Sequence, residues 1–236
     1  METQDSSLLI TVGDSFTEGA GCYLPELLDE NNKPLLPHFD MWQRSLPRAK
    51  EFGWPAICSR KLGYDLINLG TSGASNSACA KRLIQEEHTK YKTIYTTVKV
   101  VFMISDPFRF SFYIKGNVNS YLLNNNNVKQ IQDVVDWYAE TSDVTDQILE
   151  TSFYLRTIEH FCNSCGYEFY WGSAFTDITD ILPHYNTSCL HENEFPSFLH
   201  YLRRFKDIDT IAHCGHYNEL GHELVGKLIA DKIIGN

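Results

Sequence analysis

The chain has 236 residues, of which 43% are hydrophobic and 21% charged, and its formal net charge is −10. This length and composition predict one globular domain over residues 1–236. The net negative charge disfavours nucleic acid and anionic membranes as partners, because both repel an acidic surface. No stretch approaches the ~18 apolar residues of a membrane span. The polar first residues are not typical of a secretory signal, so we expect a cytoplasmic protein whose seven scattered cysteines are reduced.

Strands and helices alternate in the pattern of apolar residues. In chain order, strands are predicted over residues 8–12, 64–69, 99–104 and 167–171. Helices are predicted over residues 50–62, 76–91, 128–162, 196–204 and 218–234. The fourth apolar strand follows a long helical stretch that breaks near position 142, where Ser142 or Asp143 is suited to cap the second piece. Loops are predicted over residues 20–42, which contain several prolines, and over the asparagine-rich residues 115–128.

This alternation predicts an α/β fold with a parallel sheet covered by helices on both faces. In such sheets the functional loops lie beyond the carboxyl ends of the strands. Ser15, Gly73 and the segment from Ser105 to Arg109 all follow predicted strand ends. We therefore expect one edge of the sheet to bring them together.

The segment from Gly13 to Gly19 (GDSFTEG) places a serine directly after the first buried strand. A serine hydroxyl is a weak nucleophile that needs a nearby base. A position at a strand end fixes Ser15 while its hydroxyl stays at the rim, and backbone N–H groups of the turn can face a developing oxyanion. The alternative is that Asp14 and Ser15 only cap the following helix.

A candidate base lies near the other end of the chain, in the segment from His213 to His222 (HCGHYNELGH). Histidine titrates near neutral pH and is suited to general-base catalysis. His216 precedes the predicted last helix, so it can face a nucleophile across the rim of the sheet. The alternative is a surface or capping histidine.

These segments, together with Asn68 to Asn76 (NLGTSGASN), resemble three sequence blocks of the SGNH, or GDSL-like, serine hydrolases. The blocks occur in the family order across nearly the whole chain. The resemblance implies a flavodoxin-like three-layer α/β/α sandwich with about five parallel strands. It also implies that Ser15 is the nucleophile, that His216 is the catalytic base, and that the Ser15 and Gly73 N–H groups contribute to an oxyanion hole.

One departure from the family concerns the acid of the triad. The family usually has an aspartate three residues before the catalytic histidine, where it orients the imidazole. His213 occupies that position here and cannot supply a buried negative charge. We keep His213 as a catalytic candidate beside Ser15 and His216. The alternatives are a Ser15–His216 dyad or another carboxylate, for which Asp207 and Asp209 are nearest in sequence.

A second departure concerns the family's Gly-x-Asn-Asp block, which follows its third strand. No asparagine occupies that place, and the strand runs into Ser105-Asp106-Pro107. We expect the Ser105 hydroxyl to donate to the oxyanion instead. Arg109 is expected to offset the charge of Asp106 or to bind an anionic substrate group, and Asp14 is expected to support the site. The alternative is that Asp106-Pro107 is a simple turn and Arg109 a surface residue.

The resemblance implies an esterase that acts on small carboxylic esters or O-acetylated sugars, without a cofactor or metal. The two departures favour an alternative, a catalytically weakened or inactive binding protein on the same fold, and an acyltransferase is a third possibility. A zinc site at Cys162 and Cys165 is disfavoured, because no second pair with ligand spacing is present. His184, Cys189 and His191 are interpreted as incidental loop residues.

Overall fold

A parallel sheet forms the centre of the computed structural model, which describes residues 6–86, 88–107, 109–114, 117–122, 143–191, 194–206 and 208–235. The strands in chain order are β1 (Ser7–Val12), β2 (Asp65–Asn68), β3 (Thr97–Ile104), β4 (Arg109–Ile114), β5 (Asn117–Leu122) and β6 (Glu168–Ser173). The sheet has the order β2-β1-β3-β6, and β4 pairs with β5 in a separate antiparallel hairpin.

Strand β1 lies in the middle of the sheet, paired in parallel with β2 on one side and β3 on the other. Its apolar residues are fully buried because helices cover both faces, which is why the run reads as continuously apolar. The predicted α/β/α sandwich is therefore confirmed. The described sheet has four strands rather than about five, and beyond β6 a single parallel bridge joins Trp171 to Cys189.

Helices alternate with the strands along the described chain. They are α1 (Ser15–Glu18), α2 (His38–Phe52), α3 (Trp54–Leu62), α4 (Asn76–Ile84), α5 (His88–Ile94), α6 (Val144–Cys165), α7 (Phe198–Leu202) and α8 (Glu219–Gly235), with a short 3-10 turn at Pro25–Leu27. None of the helices within these described ranges is both long enough and apolar enough to cross a membrane.

Two apolar clusters hold the layers together. On one face of the sheet, Leu9 and Val101 pack with Trp54 of α3 and with Val225 and Ile229 of α8. The opposite face packs against α4 and α6, through the residues Ile10, Phe102, Leu83, Leu155 and Ile158. The strands therefore contribute side chains to two apolar clusters, one on each face of the sheet. Both clusters support the loops at the carboxyl edge.

Several predicted boundaries differ from the structure. The region predicted as a loop over residues 20–42 contains the start of α2, which runs to Phe52 with Pro47 inside it. A proline within a helix normally breaks it, so the sequence pattern obscured this element. The helix predicted over residues 50–62 is divided at Gly53, and the helix predicted over residues 76–91 is divided between α4 and α5.

The asparagine-rich loop prediction was wrong for residues 117–122, which form strand β5. Their backbone pairs with β4, with Ser111 opposite Ser120, so tertiary pairing overrides the polar composition. The remainder of the predicted loop, at residues 115–116 and 123–128, lies outside the described residues, as do Ser142 and the first piece of the predicted helix. Asp143 caps α6 as predicted, because its carboxylate accepts from the Asp146 N–H at 2.9 Å.

Candidate active site

Ser15 is the first residue of α1, immediately after the buried strand β1. Asp14 caps this helix, and its side chain accepts from the Phe16 N–H at 3.1 Å. Gly13 permits the sharp turn, because a Cβ there would lie 2.2 Å from the Thr17 hydroxyl oxygen. Both the capping alternative and the predicted rim position therefore hold, since Asp14 caps the helix while the Ser15 side chain is half-buried at the carboxyl edge.

His216 reaches Ser15 from a turn that precedes α8. The Ala212 N–H donates to the His216 carbonyl at 2.8 Å, and Gly215 takes a positive φ of 82° within the turn. His216 Nε2 lies 2.8 Å from Ser15 Oγ, although the residues are 201 positions apart. The ring of Phe16 lies against the imidazole with centroids 4.6 Å apart, which limits rotation of the imidazole.

The other nitrogen of the His216 ring faces a sulfur atom. Nδ1 lies 3.3 Å from Cys214 Sγ. A neutral imidazole carries one proton, so when Ser15 donates its hydroxyl proton toward Nε2, the ring proton is on Nδ1. The Cys214 sulfur is then the acceptor for that proton.

The structure does not place His213 against His216. The His213 side chain is exposed and makes no hydrogen bond, ion pair or ring contact within the described part of the chain. Asp209, one alternative acid, is also exposed and accepts from the Ile211 N–H at 3.3 Å. The other, Asp207, lies outside the described residues.

Gly73 lies in the loop after β2, in a turn where its φ is +80°. This loop packs tightly on α1. The Thr71 N–H donates to the Gly13 carbonyl at 3.0 Å, and the Ser72 N–H donates to the Glu18 carboxylate at 2.6 Å. Among the described residues, the N–H groups of Ser15 and Gly73 have no hydrogen-bond acceptor. Two backbone donors are therefore available at this edge for an oxyanion.

The Ser105 side chain has a different partner from the one predicted. It is fully buried, and its hydroxyl donates to Asp14 Oδ2 at 3.2 Å rather than facing the rim. The Ser105 backbone is held by Asn76, whose amide donates to the Ser105 carbonyl at 3.2 Å and accepts from its N–H at 2.7 Å. Asn76 is a structural residue that sequence reasoning used only as the end of a motif.

Asp14 and Arg109 form an ion pair next to Ser15. Arg109 Nη1 lies 3.3 Å from Asp14 Oδ2 and also donates to the Ala74 carbonyl at 3.3 Å. The predicted partner of Arg109 was Asp106 or a substrate anion, and its observed partner is Asp14. Burial raises the pKa of Asp14 from 3.8 to about 6, although Arg109, the Phe16 N–H and Ser105 each oppose the shift.

Two buried histidines belong to the scaffold. His222 accepts from the Trp54 N–H through Nδ1 at 3.2 Å and donates to the Ala20 carbonyl through Nε2 at 3.0 Å. His191, which was interpreted as incidental, accepts from the Ser173 N–H through Nε2 at 2.9 Å. Burial lowers the pKa of each imidazole to about 4, so both are neutral at physiological pH.

The two free cysteines of the Cys-x-x-Cys segment lie in the last turn of α6. Cys162 is fully buried in the apolar core, while Cys165 is half-buried. In the ranges that the structure describes, no three His, Cys, Asp or Glu side chains are grouped as metal ligands. These two thiols therefore have a packing role in the described structure.

No protein-family model matches the chain, and no curated protein matches it in sequence. Solved structures similar to it include an acetyl xylan esterase (Est2A) from Butyrivibrio proteoclasticus, with a TM-score of 0.54 and 11% identity over 100% of this chain and 65% of that one. A carbohydrate esterase family 2 enzyme with a carbohydrate-binding domain, from Corynascus thermopiles, has a TM-score of 0.50 and 11% identity over 100% and 67%.

A third similar structure is a member of the lipolytic G-D-S-L family from Veillonella parvula, with a TM-score of 0.47 and 12% identity over 98% of this chain and 97% of that one. The chain spans about two thirds of the length of the two carbohydrate esterases. At such low identities the likeness is one of fold. The chain has the three-layer fold of the SGNH, or GDSL-like, hydrolases.

Proposed function

We propose that the protein is a serine esterase that hydrolyses small carboxylic or O-acetyl esters. The observation that carries the proposal is the distance of 2.8 Å between Ser15 Oγ and His216 Nε2. This is proton-transfer distance for a nucleophile and its base. Two side chains 201 positions apart meet at the carboxyl edge of a parallel sheet, which is where α/β proteins place their sites.

In the proposed reaction, Ser15 Oγ attacks the ester carbonyl carbon while its proton passes to His216 Nε2. The tetrahedral oxyanion accepts from the N–H groups of Ser15 and Gly73. His216 then protonates the leaving alcohol, and the acyl group stays on Ser15. A water molecule, deprotonated by His216, attacks the acyl-enzyme and regenerates the serine.

The substrate class is supported by the structural relatives that are named acetyl xylan esterase and carbohydrate esterase. Both names denote esterases that act on carbohydrates, and the first specifies acetyl groups on xylan. Ser15 is half-buried rather than deep in a tunnel, which is compatible with an ester group presented at the rim. We therefore expect acetylated sugars and short-chain aryl esters to be accepted.

The proposal is tested with a fluorophosphonate probe, which phosphonylates an activated serine, and with p-nitrophenyl acetate hydrolysis. The wild-type protein is expected to incorporate one equivalent of probe at Ser15 and to hydrolyse the ester. Ser15→Ala abolishes both signals. The matched control is Ser164→Ala, because Ser164 is at an exposed position of α6 and its hydroxyl donates only to the Phe161 carbonyl. Equal turnover by the Ser15→Ala variant would refute the esterase.

The second candidate is a non-catalytic binding protein on the same fold. It is favoured by the side of His216 that faces Cys214, since the observed neighbour of Nδ1 is a thiol rather than the aspartate of the family. Loss of the triad acid can lower the rate by about 10⁴-fold. This candidate predicts an unlabelled Ser15 together with saturable binding of acetylated xylo-oligosaccharides measured by calorimetry.

A further inference from the structure

The family places an acid beside its catalytic histidine, and here the Nδ1 atom of His216 faces the Cys214 sulfur. We propose that Cys214 is a positioning residue for His216, with its sulfur accepting the Nδ1–H and holding the imidazole in the tautomer that accepts the Ser15 proton. This inference rests on the proposed esterase function and concerns how that site works.

The geometry follows from two distances on opposite sides of one ring. Ser15 Oγ lies 2.8 Å from Nε2, and Cys214 Sγ lies 3.3 Å from Nδ1. The sulfur distance is within the normal range for a hydrogen bond to sulfur, which is longer than one to oxygen. Because the ring is held at both nitrogens and lies against the Phe16 ring, it cannot turn away without breaking one of these contacts.

Cys214 is itself held in place by Tyr23. The Tyr23 side chain is 6% exposed and hydrogen-bonds to Cys214. Burial, together with the Cys214 contact, raises the pKa of the Tyr23 phenol, so this hydroxyl keeps its proton and remains a donor. Two donors, the Tyr23 hydroxyl and the His216 Nδ1–H, therefore converge on one sulfur.

Few titratable side chains contact Cys214 within the described residues. Within the described part of the chain, the titratable groups that contact Cys214 are His216 and Tyr23. Behind them lies a cavity of about 550 Å³, whose lining includes Tyr23 and the charged or titratable residues Asp29, Lys33, Arg48, Asp209, His213 and Glu219. Arg48 and Glu219 pair with each other there. Position 213 faces this cavity and solvent, whereas position 214 faces the imidazole.

The kinetic test compares kcat, KM and pH profiles for p-nitrophenyl acetate. Cys214→Ala is expected to lower kcat about tenfold with little change in KM, and Cys214→Ser to recover part of that loss, because a net hydrogen bond is worth about 1 kcal/mol. Cys214→Asp places a permanent anion beside Nδ1 and is expected to raise kcat above that of the wild type at pH 7.

The variants separate a positioning role from a packing role. If Cys214 acted through packing alone, Cys214→Ser and Cys214→Asp would be no more active than Cys214→Ala, whereas a hydrogen bond to Nδ1 predicts the recovery in the serine variant and the gain in the aspartate variant at each pH. His213→Asp restores the family residue at the family position. It is expected to give no gain in kcat because the side chain at position 213 is exposed. Cys165→Ala, the other half-buried cysteine, leaves rate and profile unchanged. Superimposable profiles for wild type and Cys214→Ala would overturn the inference.

A readout that does not need turnover keeps the inference separate from the esterase proposal. Ring ¹⁵N NMR of the wild type is expected to show His216 in the Nδ1–H tautomer, and Cys214→Ala to show a mixture of both tautomers. Unchanged ring signals in that variant contradict the role of Cys214, even if the wild type labels at Ser15. If the wild type does not label but the tautomer shifts, the esterase proposal fails and the positioning role stands.

Discussion

Gly21 packs so closely on Tyr217 that a Cβ at position 21 would lie 1.9 Å from the Tyr217 carbonyl oxygen and 3.2 Å from the His216 Cβ. Its φ of 102° is also a backbone conformation that residues other than glycine rarely adopt. The segment after α1 and the turn that carries His216 are therefore in direct backbone contact. This contact fixes the distance across the site.

Gly21→Ala is expected to lower kcat at least tenfold and the free energy of unfolding by about 2 kcal/mol, because the added carbon displaces the His216 turn and the backbone is strained. Ester hydrolysis and urea denaturation measure the two effects. Gly63→Ala is the matched control, since Gly63 has a φ of 71° but no atom within 4 Å of the added carbon. It should lose stability through strain alone. A Gly21→Ala variant with normal kcat would contradict the proposed role of the contact.

Asp14 makes the free energy of unfolding depend on pH. Its pKa is raised by burial from 3.8 to about 6, so the folded state binds the proton more tightly than the unfolded state. The stability from this group is fully present below pH 3.8 and is lost as the pH rises through about 6. At neutral pH this pKa shift lowers the free energy of unfolding by about 3 kcal/mol relative to acidic pH.

Arg109→Met removes the cation that opposes this shift, so the pKa of Asp14 should rise further. We expect a loss of about 2 kcal/mol in unfolding free energy at pH 8 and about half of that at pH 5, where Asp14 is protonated. Urea denaturation at the two pH values is the measurement. Arg60→Met, at an exposed position of α3, serves as the control. A loss that is equal at both pH values would show that Arg109 acts through packing alone.

His222 makes the free energy of unfolding depend on pH in the opposite direction from Asp14. Burial lowers its pKa to about 4, so the unfolded state takes up a proton first as the pH falls below 6.5. Stability from this group is therefore present above pH 6.5 and is lost as the pH falls toward 4.

His222→Gln keeps one acceptor and one donor for Trp54 and Ala20 but does not titrate. The variant is expected to lose about 1–2 kcal/mol at pH 7 from imperfect packing and to show a flatter decline between pH 6.5 and pH 4.5. Denaturant unfolding across that range measures the slope. His160→Gln, whose side chain is exposed on α6, should keep the wild-type slope. An unaltered slope for His222→Gln would mean that His191 or another group causes the acid sensitivity.

The sheet and the position of Ser15 could be predicted from sequence because they depend on local signals. Continuous apolar runs identify β1 and β3, and the Gly-Asp-Ser turn follows directly from the strand end. His216 was found because a histidine before a helix is also a local pattern. That Ser15 and His216 meet at 2.8 Å is tertiary information, and only the resemblance to known hydrolases anticipated it.

The remaining contacts depend on side-chain directions that no spacing in the sequence determines. Neighbouring positions 213 and 214 differ in whether they face solvent or the imidazole, and the sequence pattern indicated position 213 because the family has its acid there. Ser105 was assigned to the rim because it follows a strand, whereas its side chain turns inward to Asp14. Arg109 was matched with the nearest acid in sequence instead of the one across the sheet.

Helix α8 is the last element of the described chain, and it covers Trp54 while His222 holds the backbone at Ala20. The proposed nucleophile and its base lie 201 positions apart, so they meet only once α8 has packed on α3. Until that packing occurs during folding, the apolar face of α3 is uncovered and the Ser15 hydroxyl has no base. The proposed esterase activity should therefore appear together with the docking of α8 in a refolding experiment.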